Sequence, residues 1–360
     1  MSYGSAIKAA DKAFSNKDWA TATTKYQEAQ VIKPKESYPK EQLVLITKTI
    51  AEIQAKEKAD AEAKAKAEAE AKARAEAERI AKEKAAAEAA AKARAEAEAK
   101  AKLSKALTLH ASFDRGLDAD FSRGDKKCYL QQGQMLVPAK PNEEVKLVAD
   151  AGQFGGALHF PKKGITRPSF KDAGVLGYNA KSWSASVSAW LRLDPDKDLE
   201  PGYCDPLQII GNDNKKGYIF LEWSKDETPR YFRYAIRPLF HIWNPNNVQW
   251  ADIPFEKRPM VQVARAPFSR EKWTHVVFTL ENINDKTKPP IGRLYLNGKL
   301  QGAIEKWDLT FDWDPEKVLL VLGASYVGHM DDLAVFDRPL TDVEVERIYG
   351  LKKGIQELYP

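Results

Sequence analysis

Apolar positions along the chain follow three patterns in succession. Between residues 3 and 53, Trp19, Ala22, Tyr26 and Ala29 recur at helical spacing, with Pro34 placed where such a helix must stop. Ala6, Ala9, Ala10 and Ala13 make a small-residue helix before it, and Leu43, Ile46, Ile50 and Ile53 continue an apolar stripe on a third. From Ala55 to Lys102 alanine alternates with charge. A period of two ordinarily marks a strand, but Ala, Glu, Lys and Arg are strong helix formers and poor strand formers, so propensity overrides the period here. From about Leu107 onward, short alternating apolar runs are separated by Gly, Pro, Asn and Asp clusters, the rhythm of an antiparallel sandwich. The expected architecture is therefore α plus all-β: a short helical hairpin over 1–54, a long single charged helix over 55–103, and an antiparallel β-sandwich over 104–360.

Charge supports the helical reading of the middle segment. Asp60 and Lys64, Glu62 and Lys66, Glu68 and Lys72, Glu70 and Arg74, and Glu96 and Lys100 stand four apart with the acid first. Each such pair stabilises a helix by about 0.2–0.5 kcal/mol, and reverse-order pairs link them into ladders. Ile80 is the only large apolar residue between Ile53 and Leu103. A coiled-coil seam is absent, which favours a lone helix and leaves weak self-association through alanine open. At 1.5 Å per residue the segment would span roughly 70 Å. Its composition is similar to the Ala/Lys/Glu stalks of TolA-like envelope proteins, and the Trp19 to Pro34 spacing resembles the second helix of a tetratricopeptide repeat over about one unit. Lys17 and Asn16 replace the small residue expected where such helices cross.

Landmarks in the β-rich part come in order. LTLHASFDRGLDADFSRGD opens with a strand ending at Phe113-Asp114. GQFGGALHF places Gly155 and Gly156 at a bend before a strand, and SWSASVSAWLRLD alternates Trp183, Ala185, Val187, Ala189 and Leu191 with polar or small neighbours. EKWTHVVFTLEN and GRLYLNGKLQGAIE form a hairpin-like pair with Asn297-Gly298 at a tight turn that needs positive φ. VLLVLGASYVGHMDDLAVFDRPLTDVEVERIYGL closes with a strand, a Gly-rich turn, an acidic pair, a second strand and an amphipathic end. Together these segments resemble the LamG-like (concanavalin A-like) jelly-roll family from Leu107 to Leu351. The resemblance implies two antiparallel sheets packed face to face with first and last strands adjacent. RPLFHIWNPNNVQWADIPFEKRPMVQVARAP, from Arg237 to Pro267, stands out as an insertion.

Composition excludes more than it assigns. A formal charge of +5 over 360 residues, with both signs interleaved, does not point to nucleic acid. No stretch approaches the roughly 20 apolar residues of a membrane span. The opening MSYGSAIKAADKAF lacks an apolar signal core, so the chain as written is expected in the cytoplasm; a longer start carrying a signal would place it at the cell envelope or outside. Cys128 and Cys204 allow one disulfide or two buried thiols.

Chemistry narrows the same way. Glucanases sharing this sandwich carry E-x-D-x-x-E on one strand, and that motif is absent, as is G-x-S-x-G. No enzyme is expected. His275 and His159 lie in strands and read as structural. By resemblance, calcium would fall to Asp114 at the end of the first strand and to Asp331 or Asp332 in the closing motif. For recognition, the insertion offers Trp243 and Trp250 around Asn244, Asn246, Asn247 and Gln249, with Tyr231, Tyr234 and His241 nearby. Trp in such a segment serves equally to pack a local core. The leading reading is a non-catalytic, lectin-like module binding a glycan or a protein surface, presented on a rigid helical stalk. The alternative is an envelope scaffold assembling through its helical end, and a glycoside hydrolase or lyase ranks last.

Overall fold

The computed structural model describes residues 2–132, 135–225 and 227–359. The chain divides into two compact units, Met1–Ala93 and Arg94–Pro360.

In the first unit, α1 (Tyr3–Ser15) and α2 (Trp19–Ile32) form the expected hairpin, with Lys17 in the left-handed region at the turn. Ala10, Ala13, Ala22, Tyr26 and Ile46 are buried together, with Trp19, Leu43 and Ile50 packed against them. The Tyr26 hydroxyl donates to the Asp11 carboxylate at 2.6 Å, and the Tyr38 hydroxyl donates to the same oxygen at 3.0 Å. The third helix and the charged segment are one element, α3 (Tyr38–Ala106), of 69 residues. The cause is plain in the sequence: between Lys40 and Ala106 there is no Gly or Pro to stop it. Side chains from 51 to 98 are all exposed, as the missing seam requires. The ion pairs along it include Arg79 with Glu76 at 2.7 Å and with Glu83 at 2.8 Å, Glu78 with Lys82 at 2.8 Å and Arg94 with Glu98 at 3.1 Å, rather than the five pairs singled out above. With each pair worth a few tenths of a kcal/mol, the choice among ladder partners is nearly indifferent.

The second unit begins within α3. The helix passes straight into the first strand, Leu107–Ala111, and its last turn is buried through Leu103 and Ala106 against Phe336, Leu340, Val345 and Ile348. Two antiparallel sheets follow. The nine-stranded sheet runs in the order Lys299–Ile304, Ile291–Leu296, Thr274–Ile283, Trp183–Arg192, Gly328–Phe336, Leu107–Ala111, Phe121–Ser122, with Ala157–Phe160 and Lys146–Val148 attached beside the closing strand. The eight-stranded sheet orders Met260–Val263, Phe232–Arg237, Tyr218–Trp223, Asp205–Ile210, Leu319–Ala324, Pro168–Lys171, Tyr129–Gln132 and Met135–Pro138. First and last strands pair directly, Leu107 opposite Phe336 and Ala111 opposite Leu333. Asn297 and Gly298 both take positive φ, 49° and 79°, between Ile291–Leu296 and Lys299–Ile304, as the turn sequence demands. Trp183, Val187, Leu221, Trp223, Phe278 and Leu320 are among the residues filling the space between the sheets. Both cysteines are free and buried; burial pushes the Cys128 thiol up to about 12.

His275 is fully buried: Nε2 lies 2.8 Å from the Ser188 hydroxyl, Nδ1 has no hydrogen-bond partner, and burial drives its pKa down to about 3. The amphipathic close is the helix Asp342–Tyr349, opened by a capping box in which Thr341 and Glu344 satisfy each other's backbone N–H. It lays Val345 and Ile348 on the outer face of the nine-stranded sheet. Because Leu103 is fully buried and Ile80 is half-exposed, Leu103→Ala is expected to cost about 2–4 kcal/mol in urea unfolding of the sandwich and Ile80→Ala less than about 0.5. Equal losses in the two variants would show that the helix end contributes nothing to the sandwich core.

Candidate functional site

Two regions hold the residues singled out from the sequence. The first is the closing strand, where the resemblance places carboxylates. Along Gly328–Phe336 the neighbour changes: His329 pairs with His159 of Ala157–Phe160, whereas Leu333 to Phe336 pair with the first strand. The register shifts between Asp331 and Ala334, and Asp332 takes a φ of 51°. This is a bulge. Met330 and Leu333 both enter the core between the sheets, which leaves Asp331 and Asp332 outside it.

Each aspartate is buried and each holds a different segment. Asp331 accepts from the backbone N–H of Phe154 at 2.9 Å. Asp332 accepts from His110 Nε2 at 2.7 Å and from the Ile355 N–H at 3.1 Å, while His110 Nδ1 accepts from the Tyr359 hydroxyl at 2.5 Å. Glycines permit both approaches. A Cβ at Gly152 would lie 2.7 Å from the Asp331 Oδ2, and one at Gly354 would lie 2.7 Å from the Asp332 Oδ2. Burial, reinforced by the Asp332 charge, pushes the Asp331 carboxyl up to about 8. Asp114 is exposed and accepts from the Gly156 N–H at 2.6 Å, so it reaches the same Gly152–Gly156 loop from the first strand.

The three carboxylates therefore do not converge as one set. Asp114 grips the N–H side of the Gly155–Gly156 peptide, whereas Asp331 and the carbonyls of Gly155 and Gly156 all lie within 2.9 Å of the point that a Gly152 Cβ would occupy. Asp332 turns toward Gly354 and is fully engaged there, which removes it from the expected metal set. Among the described residues no group of three or more His, Cys, Asp or Glu side chains is placed to hold a metal ion.

The second region is the insertion. It folds as a helical turn, Phe240–Trp243, and two 3-10 turns, Trp250–Asp252 and Phe255–Lys257, and then supplies the edge strand Met260–Val263 of the eight-stranded sheet. It covers the outer face of that sheet, where Tyr218, Phe220 and Arg237 project. Trp243 and Trp250 meet edge to face at 5.6 Å. The Arg237 guanidinium lies 3.8 Å from the Trp250 ring centroid and 4.7 Å from that of Phe220, and Arg258 lies 4.5 Å from Trp250. The tryptophans thus turn to arginines and to the sheet, as local packing would have them. Asn244 is buried, bonding Val248 through both its amide atoms at 2.8 and 3.0 Å, and Asn247 takes the left-handed turn position with its side chain exposed. His241 is exposed and Tyr231 half-buried. Tyr234 is a correction: it faces the core, fully buried, its hydroxyl donating to the Thr279 carbonyl at 3.0 Å. Strand alternation around Phe232–Arg237 contained that signal, since Phe232, Tyr234 and Ile236 share one face and Arg233, Ala235 and Arg237 the other.

Beneath the insertion lies a charged layer that the sequence reading missed. Gln208 donates to Asp205 Oδ2 at 2.6 Å, the Tyr218 hydroxyl donates to the same oxygen at 3.1 Å, and Arg233 donates to Glu222 at 3.3 Å and to Gln262 at 2.7 Å. Burial raises both Asp205 and Glu222 above the ordinary carboxylate range, against the pull of Arg233 and Arg237. Four polar atoms here have no hydrogen-bond partner: Asp205 Oδ1, Arg237 Nε, and Nε1 of Trp243 and Trp250. The layer is open at its edge, where Tyr218, Arg237 and Trp250 are half-buried. Residues three to twenty-nine apart in sequence meet here only because four strands carry them to one face.

With this geometry in view, residues 172–346 match the family profile described as the concanavalin A-like lectin/glucanases superfamily, of laminin G type. The match lies within the β-sandwich, and residues 172–346 correspond to a lectin-like jelly-roll domain of that type. Comparison with curated proteins gives no match. Among solved structures, domain 4 of AbnA, an extracellular arabinanase from Geobacillus stearothermophilus in complex with arabinotriose, is 16% identical, with 67% of this chain and 97% of that one covered and a TM-score of 0.39. The receptor-binding domain of botulinum neurotoxin D is 14% identical over 62% of this chain and 51% of that one, with a TM-score of 0.40. The binding domain of Paraclostridial Mosquitocidal Protein 1 is 14% identical over 69% and 52%, with a TM-score of 0.43. The chain spans about half the length of these two toxin domains. No helix among the described residues is long and apolar enough to cross a membrane.

Asp332→Ala would strand His110 and the Ile355 N–H in a buried site, so a loss of about 2–5 kcal/mol in chemical unfolding is expected. Asp332→Asn, which keeps the shape and tolerates positive φ, should lose less. If alanine and asparagine were equally harmless, the tie between first strand, closing strand and C-terminus would have no energetic weight.

Proposed function

We propose that the jelly roll is a non-catalytic carbohydrate-recognition module whose ligand seats at the edge of the insertion, against Tyr218, Arg237 and Trp250. The observation that carries this is the set of unpartnered polar atoms at Asp205, Arg237, Trp243 and Trp250 under a half-open aromatic rim. A buried polar atom left without a partner costs about 1–3 kcal/mol, and sugar hydroxyls both donate and accept, so one ring can satisfy a carboxylate oxygen and an N–H together. The aromatic edge supplies apolar contact beside them. His241, Asn247 and Tyr231 stand on the surrounding surface, where they suit secondary contacts. A hydrolytic role fits the layer poorly, because Glu222 is engaged by Arg233, and Asp205 by Gln208 and Tyr218. A glycan array probed with the full chain is expected to give hits that weaken at least about tenfold in Trp250→Ala and Arg237→Ala variants of unchanged melting temperature. An array without hits, or variants that bind as the parent does, would sink the reading.

Calcium is a separate part of the proposal. Asp331 and the carbonyls of Gly155 and Gly156 are the oxygens for it, with Asp114 across the same loop; with Asp332 withdrawn, the remaining ligands would be water or the glycan itself. A bound ion would neutralise the buried Asp331 and stiffen the Gly152–Gly156 loop. Adding calcium to chelator-treated protein should then raise the melting midpoint by a few degrees, whereas coincident midpoints would remove the site.

A further inference from the structure

On the other sheet, four strands bring a row of cationic and aromatic side chains to one end. His329 stands opposite both His159 and Arg192, and the pairing of Thr274 with Leu191 sets Trp273 beside Arg192. The two imidazoles stack with centroids 4.1 Å apart and planes 6° from parallel. The Arg192 guanidinium lies 4.8 Å from the Trp273 ring centroid, and Trp273 meets His329 edge-on at 6.4 Å. The row opens into a cavity of about 340 Å³, also lined by Asp198 and Arg270. That volume is at the lower end for small-ligand sites.

Charge in the cavity does not balance. Asp198 is engaged by Arg270, whose Nε donates to it at 2.8 Å, and by the Asp194 N–H at 2.8 Å. Arg192 is half-buried; its guanidinium stacks on the Trp273 ring and repels the two imidazoles, and among the described residues it makes no hydrogen bond or ion pair to a carboxylate. One positive charge therefore faces the cavity without a counter-ion, beside two imidazoles able to take protons. A metal cation does not suit this: the guanidinium repels it, and parallel stacked rings do not aim their nitrogens at one point.

We propose that this cavity is a binding site for an oxyanion, a carboxylate or sulfate group, held by Arg192 and by protonation of the His159 and His329 pair. The site lies on the opposite sheet from the insertion and does not rest on the reading given for that face. Burial, the neighbouring imidazole and Arg192 hold His329 down to about 4, and burial with Lys146 and Arg192 lowers His159. Every charged group facing the pair from the adjoining strands and loops is thus cationic except Asp198, which is already paired. An arriving anion reverses that balance and raises both imidazole pKa values. Affinity must then increase as pH falls through the bound-state pKa, because the complex takes up protons that the free protein does not.

Calorimetry on the full chain with sodium glucuronate, sodium sulfate and glucose tests this. Glucuronate should bind and glucose should not; sulfate binding as well would identify any small oxyanion as the ligand, and glucuronate alone an acidic sugar. Arg192→Gln should weaken binding at least about tenfold, with Arg192→Lys recovering part of it, both at unchanged melting temperature. Binding should be at least about threefold tighter near pH 5 than near pH 7.5. No binding of either anion, parental affinity in Arg192→Gln, or an affinity indifferent to pH would each overturn the proposal.

Discussion

Two consecutive aspartates in the closing strand hold the sandwich together at its seam. A strand that pairs with Ala157–Phe160 over its first half and with Leu107–Ala111 over its second must change partner somewhere, and it does so at the bulge of Asp331 and Asp332. A bulge leaves backbone N–H groups and two polar side chains in a buried place, where each needs a partner. Asp331 bonds the Gly152–Gly156 loop, and Asp332 bonds His110 of the first strand and Ile355 of the C-terminal turn. Start, middle and end of the domain are therefore tied at one point. On the N-terminal side of the bulge the pairing is regular, so His329, Arg192 and Trp273 fall in line at the sheet end.

The other face shows how one sequence feature serves two physical needs. An insertion rich in Trp and Asn resembles a sugar-binding loop and also resembles a segment that must build its own small core. Arginine decides between them: Arg237 occupies the ring face of Trp250, and the aromatic surface turns inward as a lid on a charged layer. What stays accessible is the edge formed by Tyr218, Arg237 and Trp250, with the unpartnered polar atoms buried directly beneath it. The proposed recognition thus rests on residues of the sheet beneath, Tyr218 and Arg237 beside Asp205, more than on the tryptophans that drew notice first.

Much of the fold was legible because the signals were local or periodic. The Asn297-Gly298 turn, the alternation of Trp183 to Leu191 and the Tyr26 spacing each express a backbone or burial constraint within a few residues. The unbroken length of α3 was also written in the chain, as the lack of any Gly or Pro after Pro39, although an apolar stripe ending at Ile53 suggested a boundary there. Tyr234 was misjudged because its distance from the insertion in sequence is short while its strand face points the other way. The Asp205 layer and the His159, His329 and Arg192 row were invisible, since their members come from separate strands and none forms a motif.

By itself the sequence determined the order of elements, the helical nature of the charged segment, the class of the sandwich and the positions of its turns. These depend on propensity, periodicity and turn chemistry, which act over short stretches of chain. Tertiary structure alone decided which aspartate bonds which segment, which tryptophan faces are free, and where charge is left unbalanced. Those outcomes depend on strand register and on the sharing of hydrogen bonds among groups distant in sequence, and a buried charge acquires its partners only when the sheets close around it.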